Sequence, residues 1–169
     1  MTELPRIGLL GIMQELYDEM IPGITEHQAA YAAEVATALS GVADVSFTCP
    51  ARNQADIGER TAELVAEGVD GIMIVMLTYG PAMRSVRALR AVQVPLLLAN
   101  IQPERTITAD WTMDDLTYNQ GIHGAQDQAN ALLRAGVPCS IITADWRSED
   151  FAEGAKAFQE KRQPEFSGR

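Results

Sequence analysis

Histidine and cysteine are scarce in this sequence, two of each among 169 residues, and the scarcity removes several chemistries at once. Cys49 and Cys139 stand far apart, with no histidine or second cysteine at metal-ligand spacing, so both are expected as small buried hydrophobes. His27 and His123 define no Ser-His-Asp or Cys-His nucleophile by themselves, and His27 reads as a helix-surface residue. No apolar run approaches the roughly 18 residues that a membrane helix requires. The segment 1–6, with Glu3 and Pro5, lacks a basic region followed by a long apolar stretch, so the expectation is a cytoplasmic protein with no membrane partner. Positive charge is also short: 13 Lys and Arg against 23 Asp and Glu give a net charge of -10. That balance repels a phosphate backbone and argues against nucleic acid as a partner. A Walker loop is missing, and Gly8-Leu-Leu-Gly11 is not the G-x-G-x-x-G fingerprint, so no nucleotide cradle is evident. Neither an internal repeat nor a low-complexity linker divides the chain.

What is present alternates. Arg6–Ile12, 44–48, Gly71–Met76, 95–99 and Ser140–Thr143 are short apolar or β-branched runs of the kind that form buried parallel strands. Between them lie segments of helical period. His27 to Leu39 carries Tyr31, Val35, Ala38 and Leu39, with Gly41 beyond as a stop. Asn53 is placed to cap a helix with Ile57, Thr61, Leu64 and Val65 on one face. Pro81 opens a helix directing Met83, Val86 and Leu89 inward, while Arg84, Arg87 and Arg90 mark a solvated face. A long helix over 116–135 aligns Ile122, Ala125, Ala129, Leu132 and Leu133, with Asp114 and Asp115 as N-terminal carboxylates. Strands alternating with helices require right-handed crossovers and a parallel sheet covered on both faces. The expected fold is therefore an α/β, three-layer, flavodoxin-like (Rossmann-like) domain with a five-stranded parallel sheet in the order 2-1-3-4-5. Residues 1–147 make up the α/β domain, and residues 148–169 are expected as a helical tail cut off before a further domain.

In open sheets of this kind, ligands bind beyond the carboxyl ends of the strands, where strand order reverses. That rule selects Gln14 after the first strand, Thr78 and Tyr79 after the third, Asn100 and Gln102 after the fourth, and Asn119, Gln120 and His123 before the fifth. All are expected to project toward one rim. Amides, a phenol and an imidazole hydrogen-bond without fixed charge, which suits a neutral polyhydroxylated ligand such as a sugar. Trp111 and Trp146 read as packing residues more readily than as sugar-stacking ones.

Four blocks carry a resemblance: Leu10-Gly-Ile-Met-Gln-Glu-Leu-Tyr17, Met76-Leu-Thr-Tyr-Gly-Pro-Ala-Met83, Leu98-Ala-Asn-Ile-Gln-Pro103 and Thr117-Tyr-Asn-Gln-Gly-Ile-His-Gly124. Together they resemble the amino-terminal domain of L-arabinose isomerases, and more distantly that of L-fucose isomerases. The resemblance implies a metal-dependent aldose-ketose isomerase of carbohydrate metabolism, with Mn(II) as the ion. It implies a homo-oligomer whose active sites lie at subunit boundaries. Carried across position by position, Gln14, Leu16, Tyr79, Gln120 and His123 match residues that line the substrate pocket of an adjacent subunit.

The family's metal ligands and acid/base glutamates lie in later domains, so no catalytic or metal-binding residue is assigned to this chain. Its expected partners are a sugar and either the remaining isomerase domains or oligomer mates. Alone it is expected to be inactive, with apolar surface near Phe151, Phe158 and Phe166 left for the next domain. Two positions depart from the family pattern: Glu15 replaces a histidine and Gly80 a serine, which leaves the sugar open. A stand-alone sugar-binding module using the same crevice is the alternative reading, and a nonfunctional remnant is a third.

Overall fold

Each apolar run becomes a strand in the computed structural model, which describes residues 4–168. The first three residues of the expected domain and the last residue of the expected tail lie outside the described residues. In chain order the elements are β1 (Arg6–Ile12), α1 (Leu16–Met20), α2 (Ile24–Ala38), β2 (Asp44–Ser46), α3 (Gln54–Ala66) and β3 (Gly71–Met76). They continue with α4 (Met83–Ala91), β4 (Leu96–Asn100), α5 (Met113–Tyr118), α6 (Gly121–Arg134), β5 (Ser140–Thr143) and α7 (Glu149–Gln159). The sheet order is β2-β1-β3-β4-β5 and every pairing is parallel, as the alternation predicts.

Side chains of a strand alternate between faces, and here the alternation sorts them into two cores. Ile7, Leu9, Met73, Val75, Leu97 and Ala99 pack with Ile24, Tyr31, Val35 and Phe151 from α2 and α7. Leu10, Ile12, Ile72, Ile74, Leu96 and Leu98 pack on the other face with Ile57, Leu64, Leu89 and Leu132 from α3, α4 and α6. That is a three-layer α/β sandwich. Its central strand β3 is buried at every residue, hence its continuous apolar run.

Several expectations change. The long helix over 116–135 is two helices, α5 and α6, interrupted at Asn119 and Gln120. The break resets the helical phase. Gly121, Gly124, Ala125, Gln128, Ala131 and Leu132 form the buried stripe, while Ile122 and Leu133 are exposed. Met83 is 74% exposed because α4 directs Ser85 inward instead, where its hydroxyl lies 2.8 Å from both Ala82 O and Gln128 Oε1. Val65 and Ala38 also face outward, and Cys49 is exposed where a buried hydrophobe is expected. β2 stops at Ser46 because, as an edge strand, it pairs only with Arg6–Gly8 of β1. Phe151 is buried, Phe158 half-buried and only Phe166 open, because α7 packs on β5. Gly154 makes that approach close: a Cβ there would lie 1.9 Å from Ile142 Cδ1.

Candidate functional site

Gln14 and Tyr79 follow the carboxyl ends of β1 and β3, neighbouring strands paired as far as Ile12 and Met76 from which the chain departs in opposite directions across the sheet. Two contacts of α6 bring a third group to them. A Cβ at Gly121 would stand 2.1 Å from Met76 O, and one at Gly124 would stand 3.1 Å from Thr78 O. Only residues without side chains let the first turn of α6 sit on the end of β3. That seating fixes Gln120, the N-cap residue of α6, and His123 one turn along.

From there Gln120 Nε2 donates to the hydroxyl of Tyr17 at 3.1 Å. Tyr17 is tied back to the end of β1, its amide donating to Gln14 O at 3.2 Å. Burial holds the Tyr17 phenol above its ordinary range. The Gln120 bond opposes that shift and nearby Tyr79 adds to it. Tyr17 therefore remains a protonated hydroxyl at neutral pH, able to donate while it accepts from Gln120. Tyr17 lies within one of the four sequence blocks, but nothing in its spacing separates it from a packing aromatic; only the fold brings it to Gln120.

The remaining support comes from outside the rim. Gln28, fully buried on α2, donates through Nε2 to Tyr118 O at 2.7 Å, and the His27 ring lies over Tyr118 at 4.3 Å between centroids. Both contacts hold the end of α5, two residues before Gln120. Asn119 clamps the opposite side, its side chain accepting from Glu104 N at 2.8 Å and donating to Glu104 O at 3.1 Å. Short α1, which carries Leu16 and Tyr17, is braced by Asp18. That carboxylate accepts from the Thr25 hydroxyl and pairs with Arg52 at 3.2 Å.

Not every residue assigned to the rim belongs to it. Asn100 Nδ2 donates to Thr143 Oγ1 at 3.2 Å, and Gln102 Nε2 donates to Asn100 Oδ1 at 3.0 Å. Those two line a separate cleft of about 540 Å3 beyond β4 and β5 with Arg105, Asp145 and Asp150. Asn119 spends its amide on Glu104. Thr78 is buried, its hydroxyl donating to Tyr79 O at 2.9 Å. Trp146 is core: it meets Tyr31 edge-on at 5.8 Å and donates to Pro103 O at 3.4 Å.

Gln14, Tyr79 and Gln120 are half-buried, whereas Leu16 and His123 are exposed. Tyr17, Tyr79 and Gln120 thus form an open ledge of neutral hydrogen-bonding groups, with Gln14 and Leu16 on the segment leading into it and His123 one turn along α6. Glu15, beside it, accepts from Asn53 Nδ2 at 3.1 Å. A Cβ on Gly80 would lie 3.3 Å from Met13 O, so the glycine lets the segment after β3 rest on the end of β1. Among the described residues no three His, Cys, Asp or Glu side chains gather as a metal site. The ledge residues offer neutral carbonyl, phenol and imidazole groups and no carboxylate of their own to balance a divalent cation, so by themselves they do not fit manganese.

Comparison with known proteins gives these positions a context. Residues 6–162 match the family described as the L-arabinose isomerase N-terminal domain. An L-arabinose isomerase of Aeromonas hydrophila subsp. hydrophila is 30% identical over 81 residues, which are 47% of this chain and 16% of that protein. One from Bifidobacterium animalis subsp. lactis is 31% identical over 86 residues, 49% of this chain and 17% of its own length. The aligned part thus covers about a sixth of the length of these relatives.

Proposed function

The chain belongs to the family of L-arabinose isomerase N-terminal domains, and on that premise we propose that it supplies substrate contacts to an aldose-ketose isomerase while other parts of the enzyme supply the metal and the acid/base groups. Moving a proton between adjacent sugar carbons needs a positioned base, and Mn(II) would stabilise the charge that develops on the oxygens. The ledge residues suit a different task. Gln14 and Gln120 offer an amide donor and acceptor each, Tyr79 and Tyr17 offer hydroxyls, and the His123 ring offers one donor and one acceptor when neutral. Leu16 presents an apolar surface to the C–H face of a sugar.

The observation that carries this reading is the Gln120–Tyr17 bond beside Tyr79. It ties α1 to the start of α6 beside the segment after β3, which supports reading these neutral groups as a preorganised set for sugar hydroxyls. Because Leu16 and His123 are exposed, the ledge is one wall of a pocket, and a neighbouring subunit is our proposed source of the other. A bound sugar would then be desolvated between the two walls, which strengthens each hydrogen bond.

The test is a chimera in which residues 6–162 replace the matching segment of the Aeromonas hydrophila enzyme. The chimera should assemble and convert L-arabinose to its ketose with Mn(II). Gln120→Ala and His123→Ala should each lower kcat/KM by about tenfold or more, the scale of one or two lost hydrogen bonds. An assembled, active chimera indifferent to both substitutions would refute the assignment. Metal-independent binding of L-arabinose by the chain alone, lost in His123→Ala, would favour the stand-alone binding module instead.

A further inference from the structure

On the sheet face opposite α2 and α7, the groove between α3 and α4 encloses about 590 Å3 and shares no residue with the ledge. Ala62, Val65, Ala88, Val92 and Val94 give it apolar walls, and a space of this size suits a small organic molecule. Two polar atoms in its lining are anomalous. The Thr61 hydroxyl, on a side chain 4% exposed, and Nη1 of Arg84 are both buried without a hydrogen-bond partner among the described residues. Buried polar groups are almost always paired, and a buried cationic donor left alone is the costliest omission.

Charge points the same way. Of the charged residues that line the groove, Arg84 and Arg87 are cationic and Glu59 alone is acidic, sharing Arg60 at 3.0 Å with Glu63 at 2.8 Å. The groove is therefore locally positive in a chain whose net charge is -10. An occupant complementary to it has one anionic head, able to accept from both a guanidinium and a hydroxyl, and an apolar body. A carboxylate fits the planar guanidinium fork closely.

We propose that the α3–α4 groove binds an amphipathic organic carboxylate, its head against Arg84 Nη1 and the Thr61 hydroxyl and its hydrocarbon body along Val65, Ala88 and Val92. The site is independent of the sugar-binding reading and would stand if that reading failed.

The probes are octanoate and 1-octanol, equal in chain length and different in charge, titrated into the full chain and followed at backbone amides by NMR. Octanoate should shift Thr61, Val65, Arg84 and Ala88 saturably, and 1-octanol should bind at least tenfold more weakly. Arg84→Met, which keeps the aliphatic stem, should weaken octanoate at least tenfold and leave 1-octanol unchanged; Thr61→Val should weaken octanoate severalfold and carries the comparison if Arg84→Met fails to fold. Equal binding of the two probes, octanoate binding indifferent to both substitutions, or shifts confined to other surfaces would overturn the proposal. Self-association that protects the groove amides and excludes octanoate would assign the groove to a second copy, which also overturns it.

Discussion

Glycine and its substitutes show how differently one residue type is used here. At Gly121 a Cβ would meet a backbone carbonyl, which cannot swing aside as a side chain can. Gly121→Ala should therefore destabilise the fold by about 3 kcal/mol or more in urea unfolding, the upper range for overpacking, and displace Gln120 from Tyr17. Gly58, inside α3, has nothing within 4 Å of where its Cβ would be. Gly58→Ala should stabilise by about 0.5–1 kcal/mol through helix propensity alone. The two cysteines separate as clearly. Burial pushes the Cys139 thiol up to about 11, whereas Cys49 is exposed. At pH 8 a disulfide reagent should label Cys49 rapidly and the half-buried Cys139 more slowly, since the thiolate is the reactive form.

Among the elements, α3 begins as its sequence indicates: Asn53 Oδ1 accepts from Ala55 N at 2.9 Å and Asp56 N at 3.0 Å. Removing that cap in Asn53→Ala should cost about 1 kcal/mol, read from the urea midpoint at constant slope. α5 is capped by a reciprocal box in which Asp115 and Thr112 each accept from the other's backbone. The carboxylate preceding the long helix thus has a capping role, although the helix itself ends after six residues. The final segment depends on pH. Glu153 is held down at about 2 by Arg162 and by the amide of Glu165, and Asp150 is lowered by the amides of Ser167 and Gly168. Depressed carboxylates stabilise the fold above their ordinary values and lose that contribution as pH falls through the depressed ones. Hydrogen-exchange protection at Glu165, Ser167 and Gly168 should be retained at pH 5 and fall between about pH 4.5 and 2, while β3 amides stay protected.

Across the whole molecule, hydrogen-bonding groups and hydrophobic mass are segregated. The two cores hold the sheet from either side, and the ledge sits at one end, where the strands stop and the backbone turns outward. Among the described residues no group of three His, Cys, Asp or Glu side chains that could hold a metal accompanies the ledge. The isolated chain is accordingly expected to convert no L-arabinose to its ketose, with or without Mn(II), in a discontinuous ketose assay. Measurable metal-dependent turnover by the pure chain would contradict the division of labour proposed above. The edges β2 and β5 are short, at three and four residues, which limits the open backbone each offers for pairing.

The sequence by itself determined the strands, their parallel alternation and the residue blocks at their carboxyl ends. Each of those signals is local: an apolar run of fixed length, a cap, a turn residue. That Gln14 and Tyr79 follow the ends of β1 and β3 was legible because the strand boundaries were; that they contact substrate is our proposal. Tertiary structure alone decided where the long helix breaks, since Asn119 leaves the helix to clamp Glu104 and Gly121 seats on Met76, both contacts between residues distant in sequence. It also decided that Tyr17 joins the ledge and that Asn100 and Gln102 leave it. Side-chain partners across a sheet depend on packing distances that no periodicity records. Met83 and Ser85 show the reason most plainly: hydrophobicity predicted the methionine inward, but Gln128 on a neighbouring helix offered the serine a buried partner, and the helix turned accordingly.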